Sequence, residues 1–304
     1  MKQMKNNVML LLTALIWGCA FVAQSVGMDY VGPFTFNCVR SILGSIVLVP
    51  VIFLMDHLKR KSGMSPEEIK KAKGDGRTLL TGGICCGVIL AAASSLQQFG
   101  IMFTSVGKAG FITAMYIVLV PILGVFVGKK VRPLVVLCVL IAVAGLYFLC
   151  MTEKLSLGIG DLFVLLCALV FTVHILVIDH FSPLVDGVRM SAVQFLTAGI
   201  LCGAAMLIWE TPQPEDILAA WMPVLYAGIM SCGVAYTLQI LGQKNADPTV
   251  ASLLLSLESV FSVLAGWVIL HQSLNQRELF GCALMFAAII IAQLPQKKGQ
   301  ESKI

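Results

Sequence analysis

Ten segments of about 20 apolar residues follow one another along this chain, and each is long enough to cross a bilayer as a helix. Lipid offers backbone N–H and C=O groups no hydrogen-bond partner, so helices are the expected spanning structure. With 58% hydrophobic and 12% charged residues, the chain has too little charge to cover a soluble surface. The sequence predicts an all-α polytopic membrane protein with ten transmembrane helices. The segments are 8–26, 33–54, 79–101, 109–128, 133–151, 158–178, 190–209, 221–241, 248–270 and 278–294.

The positions of the basic residues predict how these helices are oriented. If the N-terminus is inside, seventeen Lys and Arg residues fall on the inner side and three on the outer side, the bias expected when the inner side is cytoplasmic. We therefore expect both termini in the cytoplasm and a location in a bacterial-type plasma membrane. Because this bias accounts for the net charge of +5, nucleic acid is not an expected partner.

Ten spans divide into five and five near residues 151–158. An odd number of spans per half makes the second half enter the membrane the other way up. We therefore expect residues 1–151 and 152–304 to form two inverted five-helix repeats, an arrangement common in secondary transporters.

An internal similarity supports this division. Ala114–Gly128 aligns without gaps on Ser252–Gly266, which places Glu258 opposite Val120. The acid is therefore a property of the second half alone, and a purely architectural role for it is less favoured.

The apolar run Ala246–Leu270 carries Glu258 near its middle. A charged side chain at the centre of a spanning helix costs about 2.5–3.5 kcal/mol on insertion scales, so it needs a partner, a proton or water. Two interpretations are open. Glu258 either carries a proton or cation, or contacts a cationic part of a substrate; alternatively, it is a hydrogen-bonded structural acid that ties two helices together.

Polar clusters in several other apolar segments are candidates for a substrate pathway. Small hydroxyls and amides also join membrane helices to one another, so substrate contact and interhelical hydrogen bonding both remain open for each. These candidate substrate-binding residues are Ser94, Gln97, Gln98, Tyr236, Ser252, Ser256 and Ser259.

For three further polar residues, a structural role is favoured over contact with substrate. Arg40 lies about 10 Å into its span at roughly 1.5 Å per residue; it could meet an anionic substrate, but snorkelling or helix packing is the preferred interpretation. Gln239 and His174 lie near the cytoplasmic ends of their segments. An ordinary interfacial histidine is therefore expected at 174.

Short motifs in both halves are similar to those of one transporter family. They are Ile16-Trp17-Gly18 with Phe21, Arg40, Gly107-Lys108-Ala109-Gly110-Phe111, Pro121, Gly160-Asp161-Leu162 and Leu257-Glu258-Ser259-Val260-Phe261. In this order they resemble the EamA type of the drug/metabolite transporter superfamily over nearly the whole chain. Two positions depart from the family pattern: Ser259 replaces a proline, and His271-Gln272 stands where Gly-Glu is frequent.

The resemblance implies a multi-pass carrier that usually exports amino acids, metabolites or drugs. It also implies that the spans carrying Trp17 and Tyr116 line a central cavity, which adds these two aromatic residues to the candidate substrate-binding set. The departures weaken any inference about the substrate but leave the fold expectation intact.

Taken together, these features favour a secondary active transporter of a small metabolite, amino acid or drug-like solute. We expect alternating access and export, with proton coupling through Glu258 as a hypothesis. A membrane channel or passive facilitator is the alternative, although one acid in one half supplies no symmetric ring of charges. An intramembrane enzyme is less favoured, because Glu258 has no second mid-span carboxylate and no His-Glu metal motif occurs. We expect no enzymatic activity, no cofactor and no metal, and a monomer in the lipid bilayer.

Overall fold

Long apolar runs form helices here because a helix satisfies its own backbone groups where lipid cannot. The computed structural model describes residues 2–65, 67–68, 73–104, 106–129, 131–150, 158–244, 246–269 and 276–293, and no strand occurs among them. Residues 151–157 of the predicted boundary between the halves and the pair His271-Gln272 lie outside this part of the chain. The helices are α1 Lys2–Gly27, α2 Pro33–Lys61, α3 Gly76–Phe103, α4 Val106–Ala114, α5 Tyr116–Phe126, α6 Pro133–Cys150, α7 Ile159–Phe181, α8 Gly187–Trp209, α9 Pro214–Ala219, α10 Trp221–Leu225, a π-helix Tyr226–Ala235, α11 Tyr236–Gln243, α12 Pro248–Leu255, α13 Glu258–Ile269 and α14 Gln276–Gln293.

Within the described residues, eight helical stretches are long and apolar enough to cross a membrane. Two shorter apolar helices, Pro133–Phe148 and Leu279–Ala292, coincide with the fifth and tenth predicted segments. The prediction of an all-helical, multi-pass membrane fold is confirmed. The number of ten spans and their inverted arrangement stay predictions.

Several helix starts follow from local sequence. Asp75, Asp186 and Asp247 each accept hydrogen bonds from backbone N–H groups in the first turn of the helix that follows, which satisfies donors that the helix itself leaves free. In the polar segment after α2, Ser65 N donates to Glu68 Oε2 at 2.7 Å, and Glu68 N donates to Ser65 Oγ at 3.2 Å. This reciprocal pair of bonds has the form of a capping box.

The helices pack in a pattern that mixes the two halves of the chain. α3 lies against α7 and α8, α2 against α8, α6 against α14, and α1 against α11, α12 and α13. Glycine permits the close approach of α1 to α13: a Cβ added at Gly18 would lie 2.4 Å from Phe261 Cβ on α13. No side chain larger than hydrogen fits there without moving a backbone.

Ion pairs gather at one end of the bundle. Asp56 Oδ2 lies 2.6 Å from Arg189 Nη2 and 3.0 Å from Lys73 Nζ, and Lys59 Nζ lies 3.1 Å from Asp186 Oδ2. This end is called the basic end below. Two of these pairs join the last turns of α2 to the start of α8, and the pair with Lys73 joins α2 to the segment before α3.

At the opposite end, a carboxylate caps α2. Glu210, which follows α8, accepts hydrogen bonds from Phe34 N at 2.9 Å, Thr35 N at 2.8 Å and Thr35 Oγ1 at 2.6 Å. The antiparallel pair α2 and α8 is therefore joined at both of its ends.

Two spanning stretches are interrupted near their middles. α4 passes into α5 at Met115, and α12 passes into α13 at Ser256 and Leu257. A third stretch contains the π-helix Tyr226–Ala235. Interruptions of this kind free backbone groups from the regular hydrogen bonds of the helix. Membrane transporters commonly have their binding sites at such interruptions.

Candidate functional site

A cavity lies where the interrupted stretches meet α1, α2, α3 and α7. Its free volume is about 30 Å³, which holds a few water molecules, so a solute as large as an amino acid requires the helices to move apart. Its wall contains residues from both halves of the chain. The lining residues are Trp17, Phe21, Gln24, Arg40, Gln97, Thr113, Tyr116, Phe171, Ile175, Ser231, Tyr236, Gln239, Leu255 and Glu258.

Glu258 is the acidic member of this wall. It is the first residue of α13, directly after the interruption at Ser256 and Leu257, and only 4% of its surface is exposed. The hydroxyl of Tyr116 donates a hydrogen bond of 3.0 Å to Glu258 Oε1. Tyr116 is itself the first residue of α5, directly after the interruption at Met115. The two breaks therefore bring a carboxyl group and a phenol together.

Arg40 is the basic member. It is 5% exposed, its Nη1 donates to Gln24 Oε1 at 3.1 Å, and its guanidinium lies 5.6 Å from the centroid of the Phe36 ring. In the described part of the chain no carboxylate forms a salt bridge with it. The snorkelling interpretation of Arg40 is wrong, because the side chain points into a buried polar cavity instead of reaching a membrane surface.

Aromatic rings form another part of the wall. The rings of Trp17 and Tyr236 are 4.6 Å apart between centroids, and Tyr236 also lies edge-on to Phe195 at 5.2 Å. Trp17 Nε1 is buried and has no hydrogen-bond partner among the described residues. The indole therefore offers both an aromatic surface and a free donor next to the cavity.

Neutral polar groups complete the lining. Gln97 Nε2 lies 3.4 Å from Thr113 Oγ1, which accepts its hydrogen bond, and Gln239 Oε1 is buried without a partner in the described chain. The described residues contain no group of three or more His, Cys, Asp or Glu that could hold a metal ion.

The candidates predicted from sequence fall into two groups. Trp17, Gln97, Tyr116, Tyr236 and Glu258 lie together around the cavity. These five residues therefore lie close together in the structure, and their contact with substrate stays a prediction.

The other candidates use their polar atoms elsewhere. Ser252 and Ser256 donate to carbonyls one turn back in their own helix, at 2.8 Å each, and Ser259 donates to Gly110 O on α4 at 3.1 Å. Ser94 lies 3.4 Å from Ala91 O, and Gln98 Nε2 lies 3.3 Å from Met28 Sδ. Only Ser259 and Gln98 contact another segment of the chain, as the interhelical alternative requires, whereas Ser94, Ser252 and Ser256 bond within their own helices. Contact of these residues with substrate stays a prediction.

Sequence reasoning missed several lining residues. Gln24 and Ser231 are polar residues inside apolar segments, so their presence there was a usable indication. Phe171 and Ile175 are apolar and could not be distinguished from lipid-facing residues. The interfacial interpretation of His174 is wrong: it is completely buried, and its Nε2 lies 3.2 Å from Gln194 Oε1.

An all-helical membrane fold whose broken helices surround a buried, charged cavity defines the class of solute transporters. Comparison with known proteins gives the family. Residues 4–151 and 158–293 match the EamA-like transporter family, and the chain belongs to it. It is therefore a multi-pass membrane transporter.

Similar proteins support this assignment. An uncharacterized transporter from Archaeoglobus fulgidus is 30% identical over 294 residues, covering 96% of this chain and 87% of the relative. The uncharacterized transporter YoaV from Bacillus subtilis is 23% identical over 283 residues, covering 91% of this chain and 92% of the relative. One crystal structure shares the fold, with a TM-score of 0.74 at 18% identity over 95% of this chain and 96% of that chain.

Proposed function

We propose that this protein is a secondary carrier that moves a small zwitterionic solute, such as an amino acid, by alternating access. The observation that carries the proposal is the presence of one basic and one acidic side chain in the same cavity. Arg40 and Glu258 both line it, and each is hydrogen-bonded to a neutral side chain, Gln24 and Tyr116. The two are not joined to each other by a salt bridge among the described contacts.

The energetics of burial explain why such a pair suits a solute. Moving a charged group out of water is costly unless an opposite charge compensates for it. A solute with a carboxylate and an ammonium group supplies both opposite charges, the carboxylate to Arg40 and the ammonium to Glu258. The rings of Trp17 and Tyr236 can then cover its apolar part, and they add a surface suited to a cation.

Alternating access is supported by the size and position of the cavity. A free volume of about 30 Å³ does not admit a solute of this kind, so binding requires the wall to separate. The wall is shared by both halves of the chain. Movement of one half against the other would open the cavity to one side and then to the other, as in carriers built from repeats.

The proposed architecture is ten spans in two inverted repeats, residues 1–151 and 152–304. The packing pattern supports it. When both members of a contacting pair of spans are replaced by their counterparts in the other half, the new pair is also in contact. α3 against α7 corresponds to α11 against α1, and α1 against α13 corresponds to α7 against α5. The two interrupted stretches, α4–α5 and α12–α13, are also counterparts.

Coupling, direction and location are further parts of the proposal. A proton carried by Glu258 would couple transport to a pH gradient, since this buried carboxyl is at the solute cavity. The resemblance to exporters supports outward transport. The concentration of Lys and Arg at the basic end supports a plasma-membrane location with both termini cytoplasmic. A monomer suffices, because one chain surrounds the cavity.

Transport by purified protein in proteoliposomes tests the function. A thermal-shift screen against the standard amino acids identifies a ligand, and counterflow of its radiolabelled form measures exchange. Saturable uptake stimulated by unlabelled solute inside the vesicles is expected of a carrier. Uptake that neither saturates nor shows counterflow would favour a channel.

Matched derivatives test the two charged contacts separately. The methyl ester of the amino acid lacks the carboxylate, and its N-acetyl derivative lacks the ammonium group. Both are expected to compete at least tenfold less well than the parent. Arg40→Gln should lose the discrimination against the ester but keep that against the N-acetyl compound. Equal competition by all three compounds would reject the zwitterion.

A further inference from the structure

The interface between α7, α8 and α11 contains buried polar groups, most of which do not line the central cavity. His174 on α7 and Gln194 on α8 are completely buried, and His174 Nε2 lies 3.2 Å from Gln194 Oε1. Other polar atoms nearby are equally buried. Those without a hydrogen-bond partner in the described part of the chain include His174 Nδ1, Gln194 Nε2, Ser182 Oγ, Ser191 Oγ, Gln239 Oε1 and both amide atoms of Gln243.

These residues recur at helical spacing, so each helix presents one polar face. On α11, Gln239 and Gln243 are four residues apart, and on α8, Ser191 and Gln194 are three apart. The faces meet, because the rings of His174 and Tyr236 lie 6.1 Å apart and Tyr236 is on α11. His174, Gln194 and Tyr236 therefore meet at one interface, and Ser191, Gln239 and Gln243 lie on the same faces of their helices.

The interface leads from the cavity toward the basic end. Tyr236 and Gln239 line the cavity, and Gln243, seven residues after Tyr236, lies about 10 Å further along at roughly 1.5 Å per residue. Between these levels lies a small apolar layer. Its buried members include Ile178, Met190 and Ile240, each one turn nearer the basic end than His174, Gln194 and Tyr236 respectively.

We infer that this interface binds a row of water molecules between the central cavity and the basic end. Buried polar groups in folded proteins are almost always paired with protein or with ordered water. The unpaired atoms here include donors on Gln194 and acceptors on Gln239, and water serves both kinds. No charged side chain contributes to the row, so an ion is a poorer fit than water.

Radiolytic footprinting tests the row directly, because hydroxyl radicals produced from bound water oxidise the side chains beside it. Two methionines form a matched pair for this measurement. Met190 lies in the layer between the polar levels, while Met285 lies on α14 in the apolar cluster, and neither has exposed surface. In lipid nanodiscs, Met190 should be oxidised several-fold faster than Met285.

Two substitutions that remove unpaired polar atoms provide the control. The double variant Ser191→Ala with Gln243→Leu should slow oxidation of Met190 and leave that of Met285 unchanged. If Met190 and Met285 react at the same rate in the unaltered protein, the interface is dry and the inference is overturned. Because radiolysis needs no transported solute, its result is independent of the carrier proposal.

Discussion

The phenol of Tyr116 donates a hydrogen bond of 3.0 Å to the carboxyl group of Glu258, across 142 residues of sequence. Both residues begin the second part of an interrupted helix, α5 and α13. The bond therefore joins the two interruptions to each other at the wall of the cavity. It connects the first half of the chain to the second at the cavity wall, where the two halves would separate in the proposed transport movement.

Removing this bond should weaken the junction without unfolding the protein. Tyr116→Phe deletes only the donor, and one hydrogen bond contributes about 0.5–1.5 kcal/mol. We expect a lower melting temperature and, for an identified solute, a transport efficiency reduced at least tenfold. In a Glu258→Leu background, which has no acceptor, Tyr116→Phe should change the melting temperature much less, since the shared bond is already absent.

Tyr226→Phe is the matched control for that cycle. Its hydroxyl donates to Ile16 O at 3.1 Å, away from Glu258. Its effect should add to that of Glu258→Leu. Additive effects of Tyr116→Phe and Glu258→Leu on the melting temperature would contradict an energetic link between the two residues.

Glu258→Gln alone tests the proposed coupling role. The amide keeps the size of the side chain but cannot exchange a proton. We expect normal membrane expression with uphill transport abolished. Uptake that still follows an imposed pH gradient in this variant would reject Glu258 as the coupling group.

The fold was largely predictable because lipid restricts a chain so strongly. Long apolar runs indicated the helices, and charge bias indicated one basic end. The interruptions were not predictable, since neither Met115 nor the Ser256-Leu257 pair is a helix-breaking Gly or Pro. Counted from the interruptions, Glu258 corresponds to Tyr116, whereas the gapless alignment places it opposite Val120, four residues away. In the proposed repeat architecture, the helix breaks thus indicate a different correspondence between the halves from the one that the gapless alignment gives.

The candidate site was predictable only in part, for a related reason. Mid-span polarity pointed to Glu258 and Gln97, but it pointed equally to serines that bond within or between helices. Which face of a helix meets a cavity depends on packing that one sequence does not reveal. Arg40 illustrates this, because its depth of about two turns fits both snorkelling and burial, and only the surrounding helices decide between them.

The cap on α2 should contribute measurably to stability. Glu210 accepts three hydrogen bonds from Phe34 and Thr35, and losing a side-chain cap costs about 0.5–2 kcal/mol. Glu210→Ala should therefore lower the melting temperature by a few degrees. Glu215→Ala, an exposed acid in the first turn of α9, should have a smaller effect. Equal effects would indicate a general charge contribution instead of a cap.

Acid should weaken the start of α3. The backbone N–H and the hydroxyl of Thr78 both donate hydrogen bonds to the Asp75 carboxylate. These bonds, the backbone one most of all, lower the pKa of that carboxyl below its ordinary value of 3.8. The stabilisation is present above pH 3.8 and is lost as the pH falls through the lowered pKa. The melting-temperature difference from Asp75→Ala should be constant near neutral pH and shrink below about pH 4. Asp75→Asn, an uncharged cap, should largely preserve stability at neutral pH.

The close contact between α1 and α13 should tolerate no side chain at residue 18. A Cβ at Gly18 would lie 2.4 Å from Phe261 Cβ and 2.8 Å from the backbone of Phe261 and Ser262, so one helix must shift. Overpacking of this kind costs about 1–3 kcal/mol or more. Gly18→Ala should therefore lower the melting temperature strongly and reduce transport, because both helices carry cavity residues.

At Gly110 an added Cβ meets only Ser262 Oγ at 3.6 Å and Ser259 Oγ at 3.9 Å. Gly110→Ala should be neutral or slightly stabilising, since alanine favours a helix by about 1 kcal/mol over glycine. Equal thermal stability of the two variants would contradict the tight packing of α1 on α13.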